Sequence, residues 1–477
     1  KMQFDLGTGI SNGDTMVRVQ QTSFGLPQTF DWTKIGVTGD ADWVAGGTGS
    51  RRVTLYDGYP LTLNNYGITG TISGDYEYGL NTNTTTPTLT SVSAGKVYFD
   101  VNQFKNAEVT YNSVPSGVTR IFAGTSTLGN TTRNNTLILD GVHFPYVYAQ
   151  GGYTQSVTGD AKDNTVIIKG GAGGGYFYGG WSNQGNATGN TVILSGTSTG
   201  ATDNGLYGGF SNNPGADVTT GNTLRVTTKD NYAYGIANFE KMQFDLGTGI
   251  SNGDTMVRVY QIGFSVQQTF DWTKISVTGL HEWAAHLASQ NVNTPILTLY
   301  DGYPLNLTNY APTLVGTRGD YEFGKKANGT ISGSTMYNAP QVTVDGNRFQ
   351  NAGKNQNITT PGSTVRNTYA GLSVYGNTTN HNELNLTGGN HVNARAGYTD
   401  AQSGGSDFNT LNLLTGGSVT NGYAGYTEGV HLLVDPTSET NPTLVDTTKN
   451  ADAKNNTVNI QGGTLNAGGK LYGGYIA

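Results

Sequence analysis

Nineteen consecutive residues, KMQFDLGTGISNGDTMVRV, occur twice in this chain without a change, at Lys1 to Val19 and at Lys241 to Val259. Beyond them the likeness continues with substitutions. FDWTKIGVTG at Phe30 returns as FDWTKISVTG at Phe270, LYDGYPL at Leu55 returns at Leu299, and GDYEYG at Gly74 returns as GDYEFG at Gly319. A duplication of this length restricts the fold to an array of equivalent units. It predicts two tandem copies of one unit of about 240 residues, 1–240 and 241–477, rather than the roughly three independent domains that 477 residues suggest by length.

A shorter period lies inside the longer one. Each copy opens with a KMQFDL segment, 1–79 and 241–324, whose alternating runs MQFDL, TMVRV and RRVTLYDG read as strands between Gly/Asn/Asp turns. The remainder, 80–240 and 325–477, repeats two elements. The first is Asn followed by alternating aliphatic residues: NTLIL at Asn135, NTVII at Asn164, NTVIL at Asn190 and NTLRV at Asn222, then NELNL at Asn382, NTLNL at Asn409 and NTVNI at Asn456. The second is glycine beside aromatics: GGY at Gly151, YGGW at Tyr178, YGGF at Tyr207, AGY at Ala396 and Ala424, and YGGY at Tyr472. The Asn positions of the first copy are 29, 26 and 32 residues apart.

Such a period, with two or three short strands in it, describes one coil of a parallel β-solenoid. A single coil cannot bury its own apolar face, so neighbours must stack. Stacking places equivalent residues about 4.8 Å apart, so Asn side chains should form ladders and the aromatics a stacked file. The glycine beside each aromatic is expected to supply a positive φ at a tight corner. The fold class predicted is therefore all-β, a right-handed parallel β-helix by the crossover rule, with about 17 coils at that spacing.

Composition agrees and excludes some functions. Gly 71 is about twice the usual share, and 12% charged residues about half of it. With no cysteine there are neither disulfides nor thiolate metal sites. A net charge of −7 argues against nucleic acid or an anionic membrane as partner, and no apolar run has the roughly 20 residues of a membrane span. A polar insert near 427–452 in the second copy reads as a projecting loop. The last residues, Tyr475-Ile476-Ala477, lack a polar cap, which reads as a window on a longer chain.

The N-T-[VL]-x-[IL] strands, the YGGY and YGGF segments and the D-T-M pattern at Asp14-Thr15-Met16 and Asp254-Thr255-Met256 resemble the passenger regions of large type V autotransporter adhesins of Gram-negative bacteria. The resemblance covers most of the chain. It implies a β-helical shaft outside the cell, tethered to the outer membrane by a part not in this chain. It also implies attachment to host cells or other bacteria through a glycan or protein receptor. No enzyme activity, cofactor, metal site or direct membrane insertion is expected. Two other roles compete: a surface fibre formed by end-to-end self-association, and a β-helix enzyme acting on polysaccharide.

Several local motifs invite chemistry. Arg318-Gly319-Asp320 is an RGD tripeptide, the type bound by integrins through Arg in one subunit pocket and Asp on a metal ion. The first copy has Ser73-Gly74-Asp75 there, and an ordinary turn is the simpler reading. His281-Glu282-Trp283-Ala284-Ala285-His286 has one residue too many for the H-E-x-x-H zinc motif, and so turn-rich a segment predicts no long helix. Gly196-Thr197-Ser198-Thr199-Gly200 fits G-x-S-x-G without the strand–turn–helix that a nucleophile elbow needs. Leu26 to Phe30 nearly matches a cell-wall sorting signal but lacks its final Gly. Asp140, Asp160 and Asp163, and Asp446 with Asp452, cluster in sequence without basic partners at coil spacing, and read as turn caps. The aromatic file is expected to stack internally rather than to lie open as a sugar platform.

Overall fold

The computed structural model describes residues 1–7, 9–20, 28–45, 50–67, 69–83, 91–114, 117–141, 144–155, 157–170, 173–196, 204–260, 269–290, 292–332, 336–357, 363–400, 404–428 and 452–477. The chain folds as two compact units, each built mainly of stacked parallel strands, in a β-solenoid of about 12 turns. The first unit is Lys1–Asp245 with Met256–Ser276 and Gly302–Asn309; the second is Leu246–Thr255 with Val277–Asp301 and Tyr310–Ala477. The division falls inside the second KMQFDL segment, because its opening strand Lys241–Asp245 stacks on Thr223–Val226 of the coil before it.

Each coil of the first unit has three parts. The N-T-V-x-L elements form the parallel sheet Glu108–Tyr111, Thr136–Asp140, Thr165–Lys169, Thr191–Gly196, Thr223–Val226 and Lys241–Asp245. The glycine–aromatic elements form a second, Arg120–Ser126, Phe144–Thr154, Gly173–Ser182, Asn204–Ser211 and Gly235–Ala237. A third, very short sheet, Thr132–Arg133, Ala161–Lys162 and Ala187–Thr188, makes the corner between them. The second unit repeats this in Glu383–Leu386, Thr410–Leu414 and Thr457–Gln461, in Gly389–Thr399, Gly417–Thr427 and Thr464–Ile476, and in the corner Thr379–Asn380 and Ser406–Asp407. Alternation decides the faces. Leu137, Leu139, Val166, Val192 and Leu224 point inward and are buried, while Thr136, Ile138, Thr165 and Ile167 between them are partly open.

The Asn ladders form as the period predicts. Asn135 Nδ2 donates to Asn164 Oδ1 at 2.8 Å, Asn164 to Asn190 at 3.1 Å and Asn190 to Asn222 at 3.3 Å. Each carboxamide oxygen also accepts the backbone N–H of the Asn one coil earlier. Asn382, Asn409 and Asn456 repeat the pattern. The carboxamides of Asn135, Asn164 and Asn190, and of Asn382 and Asn409, are thereby paired along the axis, which is what allows these Asn residues to be buried.

The glycine has a different role from the one expected. Gly124, Gly152, Gly180, Gly371, Gly397 and Gly425 are not among the residues with positive φ. A Cβ added at Gly180 would lie 2.6 Å from Asn190 Oδ1, and one at Gly152 2.5 Å from Asn164 Nδ2. The Asn of one element fills the space that a side chain on the Gly of the other would need. The two sequence motifs are one packing device.

Two expectations need correction in the KMQFDL segments. They are not purely parallel coils, since Arg51–Asn64, Ser91–Gln103, Tyr76–Thr82 and Thr69–Ser73 pair antiparallel, as do Thr313–Arg318, Tyr321–Ser332 and Met336–Arg348. Long hairpins consume residues without adding turns, so about 12 turns replace the expected 17. Second, His281 and its neighbours do form a helix, Leu280–Ser289, because Leu280, Trp283, Ala284 and Leu287 fall on one face and bury it; Trp283 packs 5.3 Å from Phe323.

Candidate functional site

Aromatic residues of the second sheet lie on the side opposite the core. In strand Gly173–Ser182, Phe177 points inward and is 2% exposed, so Tyr176 and Tyr178 point outward. They belong to a separate cluster of Tyr153, Tyr178 and Trp181 packed with Phe122, Tyr148, Tyr176, Tyr207 and Phe210. Ring centroids follow from coil to coil: Tyr148 to Tyr176 at 5.6 Å, Tyr178 to Tyr207 at 4.9 Å, Tyr153 to Trp181 at 4.7 Å, Trp181 to Phe210 at 6.3 Å. The file is thus stacked, as expected, but on the outside of the coil. Its rings cover one another's faces: Tyr153, Tyr178 and Trp181 are buried, and Tyr148, Tyr176, Tyr207 and Phe210 are half-buried.

The second unit carries an equivalent ridge. Tyr369 lies 5.0 Å from Tyr398, Tyr423 5.1 Å from Tyr472 and Tyr426 5.2 Å from Tyr475. Strand register places Arg395 in the column of Tyr369 and Tyr423. Its guanidinium carbon sits 4.3 to 5.6 Å from the ring centroids of Tyr426, Tyr398, Tyr423 and Tyr369. In the first unit Arg120 lies over Tyr153 and Trp181. Burial, helped by the neighbouring Tyr176, pushes the Tyr207 hydroxyl up to about 12. Burial likewise raises Tyr178, and burial with a hydrogen bond to Glu428 raises Tyr398. At neutral pH these hydroxyls are neutral donors, suited to binding rather than to acid–base work.

The RGD tripeptide forms the turn between strands Thr313–Arg318 and Tyr321–Ser332. Arg318 and Gly319 are exposed, and Gly319 has φ +55°. Asp320 is held: Asn351 Nδ2 donates to its Oδ1 at 2.8 Å and Arg348 Nη2 to its Oδ2 at 3.4 Å. Asp75 is bound in the same way by Asn106. The aspartate is therefore a turn residue common to both copies, and the arginine alone is peculiar to the second.

The most elaborate polar group in either unit is almost unmarked in the sequence. Glu77 is fully buried in the first, where Ser126 Oγ, Asn130 Nδ2, Asn102 Nδ2 and the backbone N–H groups of Thr127 and Leu128 all donate to its carboxylate at 2.7 to 3.1 Å. Glu322 is its equivalent in the second, with Ser373, Asn377, Asn347 and the N–H of Val374. Each glutamate ties a hairpin sheet to the first coil after it. The only signal in the sequence was the E of GDYEYG and GDYEFG recurring beside tyrosine.

Among the other candidates, Asp140 does have a basic partner at coil spacing, contrary to expectation: Lys169 stands opposite it in register, 3.5 Å away. Asp160 pairs with Lys162 and accepts the N–H of Asn186; Asp163 sits at φ +54°, and Asp452 pairs with Lys454. His281 is exposed and His286 Nε2 lies 3.1 Å from Gln290 Nε2. Among the described residues no three His, Asp or Glu side chains are grouped to hold a metal ion, and no helix is long and apolar enough to cross a membrane. Residues 197–200, Leu26, Pro27, Asp446 and most of the 427–452 insert lie outside the described residues. Compared with protein-family models, with curated proteins and with solved structures, the chain matches none.

Proposed function

We propose that this chain is a segment of a bacterial surface adhesin in which the β-solenoid is the shaft and its outward aromatic ridge a receptor-binding surface. The observation that carries this reading is the ridge itself. Tyr148, Tyr176, Tyr207 and Phe210 pack half-buried around the buried Tyr153, Tyr178 and Trp181, in a cluster separate from Phe177, Leu206 and the aliphatic strands. They recur coil after coil on the outer side. Stacked rings with neutral hydroxyls at their edges, and an arginine between them, offer the contacts that protein or glycan receptors use: large rigid apolar area with donors at the rim. The low charge and the extended ladder suit a spacer that holds such a surface away from a cell.

The test is binding of the purified fragment to intact cells, compared with a variant carrying Tyr176→Ser, Tyr178→Ser and Tyr207→Ser. Saturable binding lost in the variant supports the reading. Concentration-dependent filaments in negative-stain electron microscopy, with no cell binding, would replace it with the fibre role.

A further inference from the structure

We propose that a polar cleft in the first unit, between strand Arg51–Asn64 and the first coils, is a binding site for a carboxylate-bearing saccharide. This rests on the adhesion reading and names a ligand class for it. The cleft has a volume of about 330 Å³, near the lower end for small-molecule sites and the size of one or two sugar rings.

The comparison of the two copies shows that the fold does not require part of its polar lining. The hairpin and first coil superpose in sequence and in bonding. Glu77 and Glu322 hold the same network, and the N–H of Gln155 donates to Ser126 O just as that of Asp400 donates to Ser373 O. On this shared frame Arg51-Arg52 corresponds to Pro295-Ile296, and Thr125 and Thr127 correspond to Leu372 and Val374. The second copy therefore replaces these four polar side chains by apolar ones, while Asn12, Asp100 and Asn102 keep their counterparts Asn252, Asp345 and Asn347. Arg52 pairs with Asp100 where the second copy pairs the equivalent Asp345 with Lys326, whose place in the first copy is taken by Asn81.

The chemistry of the lining selects the ligand. The Arg52 side chain is 46% exposed and binds Asp100 through Nε and Nη2, which leaves Nη1 unused by that pair. Arg51 beside it is oriented by stacking on Trp43 and by donating to the Trp43 carbonyl. On the opposite wall Phe122 and Tyr153 stack at 5.7 Å, and Arg120 donates to the Tyr153 hydroxyl. Two arginines, Arg51 and Arg52, thus line one cleft in which Asp100, the one lining carboxylate among the described residues, is already paired, in a chain of net charge −7. Guanidinium recognises a carboxylate in a bidentate fashion. An aromatic wall covers the apolar CH face of a sugar. The exposed amide of Gln155 at the mouth is suited to ring hydroxyls.

The experiment is calorimetric titration of the whole 477-residue chain with a uronic acid disaccharide and with its neutral hexose counterpart. It uses the wild type, Arg51→Ala, Gln155→Asp and the control Lys169→Ala, which removes a positive charge from the N-T-V-x-L sheet. Gln155→Asp installs the residue that the second copy tolerates at this place. The expected result is binding of the acidic sugar, weakened roughly tenfold or more in Arg51→Ala and Gln155→Asp, unchanged in Lys169→Ala, and at least roughly tenfold weaker for the neutral sugar, a difference of about 1.4 kcal/mol. Equal binding of both sugars overturns the carboxylate selectivity. Binding unaffected by both cleft variants, or no binding by the wild type, overturns the site. If cell attachment persists in that last case, the cleft fails while the adhesion reading stands.

Discussion

Glu77 shows how much a single buried side chain can organise. Its carboxylate accepts five hydrogen bonds from two segments, Asn102 and residues 126–130, and no Lys or Arg is among the donors. Glu77→Gln would turn an NH₂ group toward donors, of which only the Ser126 hydroxyl can also accept, so a loss of about 2–4 kcal/mol is expected in denaturant unfolding. Glu322→Gln should behave alike in the second unit. A residue-scale effect of pH is expected at His391. Its ring is buried between Val365 and Val419 in register, with Thr368 Oγ1 at 2.9 Å from Nδ1 and Gly388 O at 3.2 Å from Nε2. Burial above all, with Lys354 adding to it and the Gly388 bond opposing, holds its pKa below the ordinary imidazole value. The unfolded chain then takes up a proton near pH 6.5 that the folded one resists. The stability due to neutral His391 is full above that pH and is lost as pH falls through the folded value. His391→Val, matching its neighbours in the column, should flatten the fall in melting temperature between pH 7.5 and 5.

At the scale of the coil, the Asn and Gly motifs act together, and a double-mutant cycle can show it. Gly180→Ala forces a Cβ against the Asn190 carboxamide, while Asn190→Ala orphans the N–H of Asn164 and leaves a void. Each single change is expected to cost about 2–3 kcal/mol. The pair should cost about 1–2 kcal/mol less than the sum, because the alanine methyl occupies space that Asn190 has vacated. Additivity would mean that the two positions do not share that space. Most of the coil was legible in the sequence. The period placed the strands, and the Asn of N-T-V-x-I announced its ladder, because stacking at a fixed spacing makes every repeated residue its own neighbour. The role of Gly180 was not legible. Positive φ and close approach both call for glycine, and only the position of Asn190 tells them apart. The hairpins were missed for a similar reason, since alternation gives a strand but not the direction of its partner. The helix Leu280–Ser289 was hidden by its short length among turn residues, although its apolar spacing was there to be counted.

At the scale of the whole molecule, the most direct comparison is the duplicated KMQFDLGTGISNGDTMVRV itself. Val17 and Val19 are 42% and 36% exposed, whereas Val257 and Val259 are 0% and 1% exposed. Met2, Phe4, Val17, Val19, Phe30 and Leu61 line an open groove of about 380 Å³. In the second copy the same face carries the strands Thr223–Val226 and Asn231–Ala233, and Met242, Phe244 and Phe270 are buried. One substitution made at both places tests this. Val257→Ala should cost about 1–3 kcal/mol, and Val17→Ala should stay within about 0.5 kcal/mol, in denaturant unfolding of the same chain. Identical residues determined the same local elements in both copies: a strand, a Gly-Asp turn, a second strand with the same alternation. Those depend on backbone preference and on period, which are properties of the residues and their nearest neighbours. Which of those strands is core and which is surface was decided only by tertiary structure, because burial depends on what stacks above a coil. The same holds for the aromatic ridge, the Glu77 and Glu322 networks and the arginine-lined cleft. Each joins residues from different coils, and no local pattern states which coils will meet.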